Sequence, residues 1–370
     1  MTAPTPSAFT AYRPRLRPGV LISDALLHGR NTVHLIKDTG SGQSFKVGTK
    51  EHFLISRMDG RRSLEEIGSE YASAYERRLA AAHWQQLLGM LGTRGLLTDS
   101  PAVAGPPTPS PEPRGVLRGS LRLVADADTT TARLHRAVRP LLSPWCVAPL
   151  LVLLVAMEAV LARHAGELVL ATGELFTSPA LLTAAATLLW LSTALHELAH
   201  GVVARHHGGH VREIGLRWRL PVVIMYCTVD DFLYLGTRRH RIATAAAGAV
   251  MNLLFLLPFF AVWRYAPVDD ATRGALAGLL FLGSAQALTM LVPLPPLDGY
   301  KIVAQLAGAT ELAASTRTYL RLAVRRDPAA REYPRRARAA YTAYGMSVPF
   351  VLGALVAAVT TIVHHLLTTG

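Results

Sequence analysis

The pattern of apolar and polar positions changes character near Pro144. Before that point apolar residues alternate or recur at helical spacing, as in a water-soluble domain; after it they run together in long stretches. His34–Lys37 and Ser44–Val47 read as short strands around the turn Thr39–Gly42, a hairpin pattern. Lys50–Met58 has helical spacing, and Asp59-Gly60 breaks it. Ser63-Leu64-Glu65-Glu66 has the S-x-x-E form of a capping box and predicts a helix running to Tyr75. Leu79–Leu91 predicts a third helix, and Gly95-Leu96-Leu97 closes the unit. Residues 19–100 are therefore expected to form a small soluble α+β domain of the winged-helix kind. Residues 1–18, rich in Pro, Thr and Arg, predict a disordered N-terminus, and residues 101–116 predict an extended proline-rich linker. Residues 117–144 are amphipathic and basic, as in a segment lying on a membrane surface.

Five apolar stretches follow: Trp145–Ala162, Pro179–Ala204, Ile242–Trp263, Gly274–Leu294 and Met346–Leu367. Each approaches the ~20 apolar residues that a helix needs to cross the hydrocarbon core of a bilayer. Five such lengths in one chain argue against the alternative, buried helices of a large soluble core. The fold class expected for residues 145–370 is a polytopic α-helical membrane protein with about five spans.

Composition and charge support that picture. Of 370 residues, 51% are hydrophobic and 17% charged, against about 25% charged in ordinary soluble domains. The net charge of +13 could suit nucleic acid, but the basic residues fall between apolar stretches, where they set membrane orientation. No nucleic-acid partner is expected, and the bilayer is. Met1–Arg30 holds no apolar core of signal-peptide length, so the N-terminal domain is expected in the cytosol. The loop Arg163–Ser178 is then external, and the loops Arg205–Arg241 and Lys301–Arg338, rich in arginine, are cytosolic. An odd number of spans leaves the C-terminus outside. Cys146 and Cys227 form no C-x-x-C pair, which argues against a disulfide framework or a thiolate metal site.

One apolar stretch contains a polar cluster, His196-Glu197-Leu198-Ala199-His200. The H-E-x-x-H spacing puts both imidazoles on one helical face, one turn apart, where they can share a metal ion. Glu197 lies beside them and can act as a general base. Two imidazoles with a carboxylate as third ligand and one open position make the donor set of catalytic zinc. In a soluble helix the cluster could be a surface feature, but ionisable residues inside a membrane are costly and usually functional. The best candidate for the third ligand is Asp298, in Pro293-Leu294-Pro295-Pro296-Leu297-Asp298-Gly299-Tyr300. Its prolines remove backbone donors and let the chain bend at membrane depth. The alternative is a plain Asp-Gly turn at the membrane surface.

An HExxH span followed by a P-x-P-x-L-D-G segment resembles the site-2 protease family of intramembrane zinc metalloproteases, over roughly Trp145–Leu306. The resemblance implies Zn2+ held by His196, His200 and Asp298, with Glu197 catalytic. It also carries over a G-x-x-x-N element, here Gly248-Ala249-Val250-Met251-Asn252, with Gly248 and Asn252 as substrate-binding candidates. The other reading of Gly248 is close helix packing. Met290 stands where the family often has an asparagine. Separately, the hairpin, His52-Phe53-Leu54-Ile55, Met58-Asp59-Gly60, Leu64-Glu65-Glu66-Ile67 and Gly95-Leu96-Leu97 resemble peptide-recognition domains of the pyrroloquinoline-quinone chaperone type, which bind a leader peptide as an added strand. Their fusion to such a protease is similar to peptide metalloproteases of ribosomal peptide (daptide-type) biosynthesis.

The resemblances imply a zinc-dependent endopeptidase in a bacterial cell membrane that removes the leader of a hydrophobic, ribosomally made peptide. Release of a membrane-tethered regulator is the competing enzymatic reading. A non-catalytic peptide-binding or export scaffold is the reading from another class. Asp230 and Asp231, between Tyr226 and Tyr234, lie in a loop able to form a hairpin over the site. His206, His207 and His210 read as residues of the cytosolic surface.

Overall fold

A computed structural model describes residues 10–100, 117–219 and 222–369. The chain divides into two compact units. The expected linker at 101–116 and residues 1–9 of the expected disordered segment lie outside the described residues.

The first unit holds the N-terminal domain together with Gly308–Thr310 and Leu322–Arg338. Strands β1 (Val20–Ile22) and β2 (Leu26–His28) both pair antiparallel with β3 (Asn31–Asp38), and β4 (Ser44–Gly48) also pairs antiparallel with β3. Helices α1 (Thr49–Ile55), α2 (Leu64–Tyr75) and α3 (Ala81–Thr93) follow. The capping box is formed: Glu66 N donates to Ser63 Oγ at 3.2 Å, and Ser63 N to Glu66 Oε2 at 2.6 Å. Ile36, Val47, Ile55, Ile67, Trp84 and Leu91 build the core. Residues 10–18 depart from the expected disorder. Leu16 N donates to Met58 O at 3.2 Å, Arg17 N to Leu96 O at 2.8 Å, and Thr98 N to Arg15 O at 3.0 Å. Tyr12 and Leu16 pack on the core, which supplies the apolar burial that composition alone did not suggest.

The second unit begins with β5 (Arg118–Arg122), joined to a hairpin of β6 (Val211–Arg219) and β7 (Val222–Val229) in the antiparallel order β5-β6-β7. The surface-lying amphipathic segment expected at 117–144 is thus a strand followed by helix α4 (Ala127–Val138), which Asp126 caps at Thr129 N. Gly119 pairs across from Trp218 and lies against its ring, where a side chain could not fit.

Helices α5 (Pro144–Arg163), α6 (Ala165–Thr177), α7 (Pro179–His206), α8 (Arg238–Tyr265), α9 (Asp270–Met290), α10 (Asp298–Ala307), α11 (Leu312–Val324) and α12 (Arg335–Thr369) follow, all in the second unit except the end of α11 and the first four residues of α12. Four of the described helices, α5, α7, α8 and α12, are long and apolar enough to cross a membrane. The fifth expected span, Gly274–Leu294, is helix α9. It ends at Met290 and carries Arg273, Ser284 and Gln286, so it falls short of the other four in apolar length. The segment Arg163–Ser178, expected as a loop, is mostly helix α6. Leu168, Val169, Thr172 and Leu175 form its buried stripe, and Gly278 of α9 packs against Leu175 and the Ala171 carbonyl.

The centre of the unit is tightly packed through small residues, the usual device for joining helices where the surroundings are themselves apolar. A methyl group on Gly283 of α9 would collide with Leu256 of α8. The last helix behaves differently. Its near end is anchored, with Tyr341 fully buried, Tyr344 buried, and Gly345 against Leu320 of α11. Beyond Pro349 the large side chains Phe350, Val356, Val359 and Leu367 are exposed.

Candidate metal centre

Helix α7 carries His196 and His200 one turn apart, and both are buried at 4% and 7% exposure. Asp298, 5% exposed, opens helix α10. Their ligand atoms converge: His196 Nε2 lies 3.0 Å and His200 Nε2 3.1 Å from Asp298 Oδ2, and the two Nε2 atoms are 3.2 Å apart. This is the one group of three or more metal-ligating side chains gathered among the described residues. The structure thus brings together the three ligands expected from sequence.

Several local features hold the geometry. His200 Nδ1 donates to the Thr244 carbonyl of α8 at 2.7 Å. That bond fixes the tautomer and leaves the lone pair of a neutral ring on Nε2. This lone pair then faces a carboxylate oxygen and a second imidazole nitrogen, an arrangement that a cation between them would relieve. Two nitrogens and one oxygen, buried and convergent, suit zinc. His196 Nδ1 is buried without a hydrogen-bond partner, so its ring is oriented by packing instead. The packing partner is Gly248: a methyl there would stand 2.6 Å from Nδ1 of His196.

Asp298 is placed by a bend that only glycine permits. A methyl on Gly299 would overlap the Leu291 carbonyl and lie 2.6 Å from the Val292 carbonyl oxygen. Leu291–Leu297 turns between α9 and α10, and Tyr344 Oη donates to the Pro293 carbonyl at 3.1 Å. Buried Arg241 joins the start of α8 to α10, donating from Nε to Gln305 Oε1 at 2.7 Å and from Nη1 to the Leu235 carbonyl at 2.9 Å.

Glu197 is half-buried and points to the sheet, where Oε2 accepts from Cys227 N of β7 at 3.1 Å. Burial pushes the Cys227 thiol up to about 12, with the Glu197 charge adding to the effect. Close packing of α7 on the sheet allows this approach, since Gly201 leaves room for Cys227 Sγ and Val211.

The remaining candidates have other surroundings. Asn252 is 2% exposed, and its Oδ1 accepts from Ser192 Oγ at 3.0 Å, so the G-x-x-x-N element faces α7 at both ends. Met290 is the last residue of α9. Asp230, just past the hairpin, takes Nε of Arg212 at 2.9 Å, and Asp231 lies 3.7 Å from His210. His206 meets His135 at 3.2 Å, and His207 stacks on His240 with ring centroids 4.1 Å apart. Burial, then the neighbouring His240 and His206, lowers His207 to about 4.

Three contributors escaped the sequence reading: the Thr244 carbonyl, the Cys227 amide and Lys301. The first two are backbone groups, with no side-chain signature to find. Lys301 sits three residues after Asp298 on a helix, and that spacing could have flagged it. No family model, curated protein or solved structure matches the chain.

With zinc bound at His196, His200 and Asp298, the site would supply a Lewis acid and a source of hydroxide near neutral pH. Glu197, next to His196 in α7, would be a carboxylate able to accept and return a proton there. The Cys227 amide orients it.

Proposed function

We propose that the chain is an intramembrane zinc metalloendopeptidase of the site-2 protease type, resident in a bacterial cell membrane. One observation carries the reading: three ligating atoms 3.0–3.2 Å apart, two of them on a helix apolar enough to span a membrane. A buried His–His–Asp set with an adjacent glutamate has a direct use in hydrolysis and is expensive to keep in such a helix otherwise. The substrate is a membrane-associated peptide in extended form, because a helical peptide already uses its carbonyls in hydrogen bonds. The small N-terminal unit is cytosolic and captures the leader of a ribosomally made precursor on a sheet edge, and the membrane unit cuts the leader from the hydrophobic core peptide.

The test is co-expression with a candidate leader-bearing precursor, read by mass spectrometry, with wild type beside Glu197→Gln. Glutamine can still accept from Cys227 N but cannot act as the base. Product from wild type alone supports a zinc protease and gives the scissile bond. Equal product from both removes Glu197 from the chemistry. A wild type that binds zinc and peptide and never cleaves overturns the enzyme in favour of a scaffold.

A further inference from the structure

The two oxygens of Asp298 are used differently. Oδ2 faces both histidines, at 3.0 and 3.1 Å, while Oδ1 accepts from Lys301 Nζ at 2.8 Å. Lys301 lies one turn further along α10, so the pair shares a helix face. The Lys301 side chain is 48% exposed and that of Asp298 6%, so the ammonium reaches the buried carboxylate from the open side.

A carboxylate can bind a metal through one oxygen or through both. A hydrolytic site needs a position left free for water or substrate. We propose that Lys301 is a positioning residue that occupies Oδ1, confines Asp298 to coordination through Oδ2 alone, and so keeps the metal site open. The proposal rests on the metal reading of the site. It makes a prediction opposite to that of a plain supporting ion pair. A support would loosen metal binding when removed. The Lys301 ammonium instead also repels a cation, so its removal relieves repulsion and frees a second oxygen.

The test uses full-length protein in detergent, loaded with Co2+ for visible spectroscopy and with Zn2+ for X-ray absorption. Lys301→Met removes charge and donor at similar length; Lys301→Arg retains both. For K301M we expect weaker visible cobalt bands, one additional oxygen around zinc, and affinity unchanged or raised by up to about tenfold, the scale for a half-exposed charge screened by solvent. K301R should keep the wild-type spectrum. A K301M spectrum identical to wild type overturns the proposal, whether or not affinity falls. A wild type that takes up neither metal overturns the metal reading itself, and the proposal with it.

Discussion

Gly248→Ala is the sharpest test of how helix packing sets the metal site. Alanine in a helix is ordinarily better than glycine by about 1 kcal/mol. Here the new methyl would lie 2.6 Å from His196 Nδ1 and overlap the neighbouring ring atoms. Ordinary van der Waals contact requires the ring or α8 to withdraw by about 1 Å, and overpacking of this kind costs about 1–3 kcal/mol. The two effects partly cancel in stability, so the fold should survive with a modest loss. They do not cancel at the ligand. Outer-shell disturbance of a metal ligand costs about 10–100-fold in affinity, and a displacement of about 1 Å costs about 100-fold in rate. Zinc affinity measured by chelator competition, beside thermal unfolding, separates the two. Gly353→Ala in α12 is the control, because nothing lies within 4 Å of the methyl it would add. Wild-type zinc affinity in G248A would refute the claim that contact between α7 and α8 orients His196.

Other expectations follow from the same geometry. His200→Ala and Asp298→Ala should each abolish stoichiometric zinc in the purified protein, measured by elemental analysis, while Glu197→Gln keeps it. In a Cys146→Ser background Cys227 should resist alkylation at pH 8, since a thiol at about 12 is ionised in about one molecule in ten thousand; Glu197→Gln should speed the reaction by removing the neighbouring charge. His207, lowered to about 4, takes up a proton more readily unfolded than folded. Stability should therefore decline as pH falls from about 6.5 towards 4, and His207→Asn should flatten that slope in denaturation curves. Glu158 of α5 accepts from Ser284 Oγ at 2.8 Å. Glu158→Gln can accept the same bond without a charge to desolvate, so it should leave thermal stability equal or higher, and a clear loss would show that the carboxylate itself is needed.

The convergent group His196, His200 and Asp298 was legible because its signals are local. His196 and His200 announce themselves by helical spacing inside an apolar run, and Asp298 by helix breakers directly before it. The capping box at Ser63 and Glu66 was legible for the same reason. The sheet was not. β5 pairs with residues of β6 far along the chain, and Arg118–Arg122 alone looks like any short basic stretch. Helix α6 was missed because its apolar residues form a stripe instead of a continuous run. The stretch Gly274–Leu294 looks continuous in sequence, but the helix ends at Met290 and holds Ser284 and Gln286 within it; Gln286 donates to Thr193 of α7 at 2.8 Å.

The contrast within α12 has an evolutionary consequence. At its near end one face answers to neighbours, through Ala337, Tyr341, Tyr344 and Gly345. Past Pro349 none of the apolar window is buried among the described residues. Apart from His365, which lies against Gly166 of α6, the exposed positions there answer to length and apolar character, so the identities of Phe350, Val356, Val359 and Leu367 can drift among apolar types. Across related chains the buried face of the near half should stay fixed, while the exposed far positions keep their apolar character and change their spelling.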